Sequence, residues 1–358
     1  MQPNTMSHLV SKSYAELKDK MNSLTSPIII TSHKQADPDA LGSAILLYSV
    51  LRMITSVDVT ILLPTRSKQT EKIISNFSLK SIIQEHVNDN YSVKDYCIIL
   101  VDTNQPLITD LSSIFNQNDS KNIWKSCKTR IILDHHLLTE ETTDIETIKI
   151  IYPDYSSTSE LAYDLLLESK IEIPSKNIIA VGLLGILFDT KRLILANAHT
   201  LRRVASMLEY LESSVEDYLV LLDNEKEHSE RTANVKTAQR NKLVVLQEQY
   251  LLSLSFVSSY ESSSARALLY LGSDIVAVVN RGKKEIRISF RSTKKFFEDT
   301  GLHCGELANY MSEKFSGSGS GHPTAAGCNL AINTTNNELF DSIIEYITKY
   351  LESRQMKD

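Results

Sequence analysis

Histidine and aspartate residues are concentrated in four short stretches of this 358-residue chain. Those at 33–39, 101–103, 134–136 and 188–190 contain eight candidate metal ligands: His33, Asp37, Asp39, Asp102, Asp134, His135, His136 and Asp189. Mixed imidazole and carboxylate ligands suit Mn²⁺, Zn²⁺ or Fe, whereas Ca²⁺ prefers oxygen ligands alone. Clustered carboxylates repel one another strongly unless cations are present. So many candidate ligands predict two metal ions, the usual arrangement for in-line displacement at phosphorus.

The elements that must position these residues are visible as short apolar runs. Runs rich in Ile and Val at 27–32, 96–101 and 130–133 lie just before the first three stretches. Others occur at 58–63 and 148–152, with helical patterns between them, and the fourth stretch ends an apolar helix. This alternation predicts an α/β domain with a doubly wound, mainly parallel sheet. Side chains that follow the carboxyl ends of parallel strands share one crevice, where we expect the candidate ligands to meet.

The second half of the chain has a different organisation. Residues 223–244 are largely polar and contain no Gly or Pro, which predicts an exposed helical linker. Strand and helix patterns then mix without regular alternation, and this predicts a smaller α+β domain. The predicted division is a catalytic domain at 24–222, the linker at 223–244, and a second domain at 245–350.

Two features of the second domain are candidates for binding phosphate. Four of the eleven glycines lie within residues 317–327, which predicts a loop whose backbone N–H groups approach an anion, although a flexible connector is the alternative. Residues 281–295 carry seven basic side chains and one acidic side chain. We interpret Arg291 as a bidentate phosphate ligand. Lys294 and Lys295 are better explained as solvated residues of a strand edge.

In order and spacing, the four stretches resemble the four motifs of the DHH phosphoesterase family. Ser157-Thr158-Ser159-Glu160 also resembles the family's Ser-Thr-x-Glu helix start, a pattern that a capping box explains as well. Residues 319–327 resemble the glycine-rich signature of the DHH-associated C-terminal domain, with Ser320 in place of a glycine. Ala36 stands where many members have Pro.

This resemblance implies roles for individual residues. One ion would be held by His33, Asp37 and Asp102, and the other by Asp39, Asp102, His135 and Asp189. The ions would be Mn²⁺, two per chain, with Mg²⁺ or Co²⁺ as substitutes. Asp134 would orient a ligand and His136 would act at the scissile phosphate, so the implied catalytic residues are His136, Asp102 and Asp134. The second domain would hold substrate across an interdomain cleft through Arg291, Ser292, Gly319, Gly321 and His322.

As a stand-alone two-domain chain, the protein most resembles oligoribonucleases of the nanoRNase type, which also remove the 3′-phosphate of adenosine 3′,5′-bisphosphate. This implies hydrolysis of short oligonucleotides by a hydroxide that two metal ions activate. Alternatives with the same chemistry are a cyclic or linear dinucleotide phosphodiesterase, a single-strand exonuclease, and a polyphosphate or pyrophosphate hydrolase. A catalytically silent nucleotide-binding module is a different class of function. It is disfavoured because all six implied metal-ligand positions are present.

Charge and composition limit the partners. With 38 basic and 44 acidic residues the net charge is −6, which argues against a long, sequence-independent nucleic-acid footprint. We expect short oligonucleotides or nucleotide phosphates as partners, and the resemblance also implies a homodimer. The chain has no apolar run of 18 residues, its N-terminus lacks a signal-peptide core, and its four cysteines show no C-x-x-C spacing. We therefore expect a cytoplasmic protein without membrane contact, and we assign no role to His199.

Overall fold

The chain divides into two compact units, Met1–Asn224 and Glu225–Asp358. The computed structural model of the protein describes residues 3–84, 87, 92–138, 147–172, 175–223, 226–331 and 334–355. Each unit contains one six-stranded sheet and its own apolar core. Among the described residues, no helix combines the length and the apolar character needed to cross a membrane.

The sheet of the first unit is parallel throughout and has the order β3-β2-β1-β4-β5-β6. Its strands are β1 (Ile28–Thr31), β2 (Val59–Leu62), β3 (Ile83–Gln84), β4 (Cys97–Val101), β5 (Thr129–Asp134) and β6 (Ile148–Ile151). Both faces are covered, since Ile28 and Ile30 of β1 enter one apolar cluster and Ile29 enters another. Burial on both faces explains the continuous apolar runs in the sequence. The predicted doubly wound α/β domain is confirmed.

Nine helices accompany this sheet in the described part of the unit. They are α1 (Pro3–Asn22), α2 (Pro38–Ile54), α3 (Lys68–Asn76), α4 (Leu111–Ile114), α5 (Ser120–Ser126), α6 (Thr158–Ser169), α7 (Lys176–Asp189), α8 (Ala198–Leu211) and α9 (Val215–Leu222). Glycines allow α2, α6 and α7 to approach closely, because a Cβ on Gly42 or Gly185 would lie 2.4 Å or 2.2 Å from Ser159 Oγ. This close approach brings the start of α6 against the start of α2.

The second unit has a mixed sheet of order β11-β12-β10-β9-β8-β7, in which only the β8–β9 pair is parallel. The strands are β7 (Lys242–Leu246), β8 (Tyr250–Val257), β9 (Ile275–Arg281), β10 (Ile286–Ser292), β11 (Ser318–His322) and β12 (Ala325–Leu330). The helices are α10 (His228–Gln239), α11 (Glu261–Tyr270), α12 (Lys294–Thr300), α13 (Cys304–Lys314) and α14 (Asn336–Gln355). The predicted smaller α+β domain is confirmed.

Three segments differ from their sequence-based expectations. The glycine-rich stretch is not a loop, because β11 and β12 form a hairpin in which Gly319 lies against the backbone of α13. The segment expected as a linker contains α10, which packs within the second unit, where Ser255 Oγ donates to Thr237 O. The N-terminal segment, for which no element was predicted, forms α1, and its Val10 and Leu17 lie in the core of the first unit.

Candidate active site

The four predicted stretches meet at one edge of the first unit's sheet. His33, Asp102 and Asp134 lie at or just beyond the carboxyl ends of the neighbouring strands β1, β4 and β5, and Asp189 ends α7. A cavity of about 260 Å³ lies there, lined by residues that include His33, Asp37, Asp102, His136 and Asp189. The sheet topology therefore produces the shared crevice that the sequence predicts.

Three overlapping groups of candidate ligands share Asp102, and one of them joins His136 to Asp102 and His135. The other two groups have no member in common apart from Asp102. In the first of these two, His33 Nε2 lies 3.5 Å from Asp102 Oδ2 and 3.8 Å from Asp37 Oδ2. In the second, His135 Nε2 lies 3.7 Å from Asp102 Oδ1 and 3.1 Å from Asp189 Oδ2, and Asp39 completes the set. Within each group one donor atom per residue lies within 4.8 Å of the others. These are the two ligand sets that the family resemblance implies.

Asp37 and Asp39 have different tasks at the start of α2. Asp37 is the N-cap, and its Oδ1 accepts hydrogen bonds from the backbone of Asp39 and Ala40. Asp39 is completely buried and accepts from the backbone N–H groups of Thr158 and Ser159 at 2.7 and 2.9 Å. Asp37 therefore keeps Oδ2 toward His33, while Asp39 joins the starts of α2 and α6.

The loop between His33 and Asp37 is held by a neighbouring segment. Gln35 N donates to Thr65 Oγ1 at 2.8 Å, and Ala36 N donates to Thr65 O at 3.0 Å. A proline at position 36 would lack the second of these donors. Ala36 thus gains a hydrogen bond at the position where many family members have Pro.

Asp102 adopts a strained backbone conformation directly after β4. Its φ is +58°, in the left-handed region, and its side chain is only 3% exposed. A non-glycine residue in such a conformation costs about 1–3 kcal/mol and is held by its surroundings. Thr158 Oγ1 donates to Asp102 Oδ1 at 3.0 Å, which fixes one oxygen of the shared carboxylate.

Asp134 orients the two histidines that follow it. Its Oδ1 accepts from the backbone N–H groups of His135 and His136 and lies 2.9 Å from His136 Nδ1. Asn104 Nδ2 donates to Asp134 Oδ2 at 2.7 Å. The Asp134 carboxylate is fully buried and belongs to neither ligand group, whereas the half-exposed His136 ring lines the cavity.

The cluster carries carboxylates whose ionised forms are disfavoured. Burial, together with the charge of Asp189, raises the pKa of Asp39 to about 7. Burial also raises the pKa of Asp102 well above its ordinary value, and the charge of Asp39 adds to this effect. Burial opposes protonation of His135, but the Asp189 and Asp39 carboxylates outweigh it and raise the pKa of His135 to about 9. The carboxylates of the cluster therefore outnumber the positive charges that its own side chains can supply, and a bound cation would relieve their repulsion.

Divalent cations fit this donor set. His135 Nδ1 lies 3.3 Å from Tyr155 O, while the buried His135 Nε2 lies 3.1 Å from Asp189 Oδ2 without hydrogen-bond geometry. Buried polar atoms are nearly always paired, so an unpaired nitrogen that faces two carboxylates points to a missing ligand. Two imidazoles and four carboxylates around two positions match the preferences of Mn²⁺ and related ions.

In the second unit, only part of the predicted substrate site lies together. Arg291, Gly321 and His322 line one groove, with Ser262 and Ser320. Arg291 Nη2 donates to Ser262 Oγ at 2.8 Å, which aims the guanidinium.

Two predicted binding residues do not line this groove. Ser292 is buried and faces Cys304, and a Cβ on Gly319 would lie 2.3 Å from Ala308 O of α13. The glycine at position 319 therefore serves the packing of β11 on α13. The basic segment is also divided, because Arg281 bonds Asn336 and Lys294 pairs with Glu298.

Sequence reasoning missed several residues that support the site. Thr158 and Ser159 contact Asp39, and Asn104 fixes Asp134. The sequence pattern that could have indicated Thr158 and Ser159 is Ser157–Glu160, which a capping box also explains. Ser157 does cap α6, but Glu160 accepts from Ser156 rather than from the capping residue itself.

Comparison with known proteins identifies the family. Residues 27–186 match the family model of the DHH family, N-terminal domain, and residues 265–353 match the DHHA1 domain. An uncharacterized protein of Methanocaldococcus jannaschii is 31% identical over 306 residues, which cover 84% of this chain and 86% of that protein. The cyclic-di-AMP phosphodiesterase GdpP of Bacillus subtilis is 24% identical over 290 residues, which cover 75% of this chain but only 41% of GdpP.

A solved structure has the same fold. The crystal structure of an exopolyphosphatase-related protein from Bacteroides fragilis aligns with a TM-score of 0.55 and 20% identity, covering 95% of this chain and 98% of that one. The resemblance first seen in the motifs is confirmed. The chain belongs to the DHH family of metal-dependent phosphoesterases, and a DHHA1 domain follows its DHH domain.

Proposed function

We propose that this chain hydrolyses phosphodiester bonds of short oligonucleotides, with two Mn²⁺ ions held by the groups that share Asp102. The single observation that carries the proposal is the pair of ligand groups around that carboxylate. When bound, the ions would supply positive charge for the attacking and leaving oxygens of an in-line displacement. Mg²⁺ and Co²⁺ are the proposed substitutes.

The protein's own groups have separate tasks in this reaction. His136 lines the cavity, and its hydrogen bond to Asp134 raises the pKa of the ring, which favours the imidazolium form with a second proton on Nε2. That proton is available to the leaving oxygen. Asp134 holds the ring in place, and Thr158 restricts the orientation of Asp102.

The groove of the second unit is a proposed binding site for nucleotide phosphates. Arg291 supplies a planar cation suited to a phosphate, and Gly321 gives close access to the backbone. His322 adds a ring on the same surface. A groove lined by only two arginines, Arg287 and Arg291, suits a short nucleotide better than a long strand, which needs many phosphate contacts.

A cyclic or linear dinucleotide is the second candidate substrate. Two of the curated relatives are cyclic-di-AMP phosphodiesterases, from Bacillus subtilis and Listeria monocytogenes, each 24% identical to this chain. The activity named for these two relatives favours a dinucleotide substrate over pyrophosphate or polyphosphate. Hydrolysis of the 3′-phosphate of adenosine 3′,5′-bisphosphate would show the related phosphatase activity.

A parallel substrate panel tests the proposal. The Mn²⁺-loaded protein is assayed on a short RNA, pApA, adenosine 3′,5′-bisphosphate, cyclic di-AMP and pyrophosphate. We expect the short RNA to be hydrolysed fastest and Asp39→Asn to abolish turnover. Asp119→Asn, the same change at the exposed N-cap of α5, is the matched control and should keep full activity. No turnover of any ester by folded, metal-loaded protein would refute the proposal. Preference for cyclic di-AMP would select the second candidate.

A further inference from the structure

One short segment, residues 155–159, contacts three of the candidate metal ligands. Tyr155 O lies 3.3 Å from His135 Nδ1. The backbone N–H groups of Thr158 and Ser159 donate to Asp39, and the Thr158 hydroxyl donates to Asp102. The position of this segment therefore sets the orientation of all three ligands.

The segment contacts a cluster of charged side chains, buried except for Arg203, which is 31% exposed. We call it the His199 cluster: Glu160, Asp164, His199 and Arg203. His199 Nδ1 lies 2.6 Å from Glu160 Oε1, and its Nε2 lies 3.3 Å from Asp164 Oδ2. Arg203 forms an ion pair with Asp164 Oδ1. Both ring nitrogens of His199 face carboxylate oxygens, so both must carry protons, and the cluster balances two negative charges with two positive ones.

This cluster is tied to the 155–159 segment at two points. The Tyr155 hydroxyl donates to Asp164 Oδ2 at 2.8 Å. Ser156 N donates to Glu160 Oε2 at 3.1 Å, and Thr200, next to His199 on α8, donates to the same oxygen at 3.1 Å. The tyrosine ring also packs edge-on against the His199 ring, with centroids 5.5 Å apart. A change in the cluster is therefore transmitted to the backbone that holds the ligands.

Because Glu160 and Asp164 are buried, their charges depend on His199 for compensation. The side chains of Glu160 and Asp164 are 0% and 4% exposed, and that of His199 is 13% exposed. Removing one partner from a buried charged network leaves an uncompensated charge, and the remaining groups rearrange or draw in water. Either response displaces Tyr155 and Ser156 from their present positions.

We propose that His199 is a positioning residue for metal binding: through Glu160, Asp164 and the 155–159 segment it orients His135 and Asp39. This inference rests on the proposed two-metal function, and it assigns His199 to one ion in particular. The group of Asp39, Asp102, His135 and Asp189 receives these contacts directly. The group of His33, Asp37 and Asp102 meets the segment only through Asp102.

Mn²⁺ titration of the full chain tests this assignment without measuring activity. Calorimetry or metal analysis at equilibrium gives the two dissociation constants for the wild type, His199→Gln and Tyr155→Phe. We expect His199→Gln to raise the dissociation constant of one ion by about tenfold, which is within the range for residues that support metal ligands. The dissociation constant of the other ion should change by less than about threefold. Tyr155→Phe removes only the hydroxyl, so it should raise the dissociation constant of the same ion by a smaller factor.

Leu211→Ala is the matched control, because Leu211 is a buried core residue at the far end of the same helix. It lowers stability without touching the His199 cluster, and it should leave both dissociation constants unchanged. Unchanged Mn²⁺ binding in folded His199→Gln and Tyr155→Phe would overturn the inference, as would equal weakening in Leu211→Ala. If His199→Gln does not fold, unchanged binding in Tyr155→Phe alone overturns it. Failure of the wild type to bind two ions would refute the proposed function itself.

Discussion

At the scale of single residues, Asp102 connects the two halves of the candidate metal site. Its Oδ2 lies 3.5 Å from His33 Nε2, and its Oδ1 lies 3.7 Å from His135 Nε2. The left-handed backbone at this position turns the carboxylate between the two groups, an arrangement that aspartate tolerates better than most residues do. One buried carboxylate therefore serves both ligand groups.

Replacing Asp134 with Asn separates a positioning role from a metal-ligand role. The variant loses one acceptor oxygen in a site where four donors converge, so His136 should lose its fixed orientation. We expect Asp134→Asn to retain two Mn²⁺ ions and to lower kcat by about 10- to 100-fold, as measured by metal analysis and steady-state kinetics. Asn104→Ala leaves the Asp134–His136 contact in place and should have a smaller effect. Loss of an ion from Asp134→Asn would contradict this account.

His199 predicts how stability depends on pH. Hydrogen bonds to Asp164 and Glu160 raise the pKa of His199 from 6.5 to about 9 in the folded protein. The folded state thus holds a proton that the unfolded state releases, and this contribution, full below about pH 6.5, is lost as the pH rises through about 9. Because solvent screens the partly exposed ring, this contribution stays below about 3 kcal/mol.

Urea denaturation at pH 6.5 and 9.5 measures this contribution. The free energy of unfolding should fall more with pH in the wild type than in His199→Gln, and the exposed His8→Gln should behave like the wild type. An identical fall in the wild type and His199→Gln would show that the histidine is not protonated as described.

The ligands could be predicted from the sequence, whereas the His199 cluster could not. Each ligand stretch combines residue types and spacing that point to metal chemistry. The partners of His199 lie 39 and 35 residues earlier, on α6. The packing of α8 against α7, and of α7 against α6, brings them together. A histidine without a polar neighbour in sequence carries no local signal for such a contact.

At the scale of elements, continuous apolar strands were predictable and glycine-rich strands were not. The Ile- and Val-rich runs predicted β1, β4 and β5, because burial on both faces selects such residues. In contrast, β11 consists of Ser, Gly and His, which usually indicates a loop. Its conformation comes from pairing with β12 and from contact with α13, neither of which leaves a local pattern.

Gly319→Ala tests the packing of β11 against α13. The added Cβ would lie 2.3 Å from the backbone oxygen of Ala308, so one of the two backbones must move. We expect a loss of about 2 kcal/mol or more in the free energy of unfolding, measured by chemical denaturation. Gly327→Ala, on the neighbouring strand, places its Cβ 3.3 Å from the nearest atom and should cost less than about 1 kcal/mol. Equal stability of Gly319→Ala and the wild type would refute this packing role.

At the scale of the whole molecule, charge and chemistry are divided between the units. The metal-ligand cluster belongs to the first unit, and the groove with Arg291 belongs to the second. The net charge of −6 hides this division, because residues 281–295 alone carry +6 and the remaining residues carry −12. The two-part composition was visible in the sequence. The packing of α10 on the second unit was not, because a polar helix with one buried threonine resembles a solvated linker.

Electron paramagnetic resonance of the Mn²⁺-loaded chain tests the central claim most directly. Two ions that share the Asp102 carboxylate would lie about 3.5–4 Å apart, close enough for their spins to couple. The account predicts two Mn²⁺ ions per chain, the spectrum of a coupled pair, and loss of the coupling in Asp102→Ala. A single ion per chain, or two ions with the spectrum of isolated Mn²⁺, would contradict it.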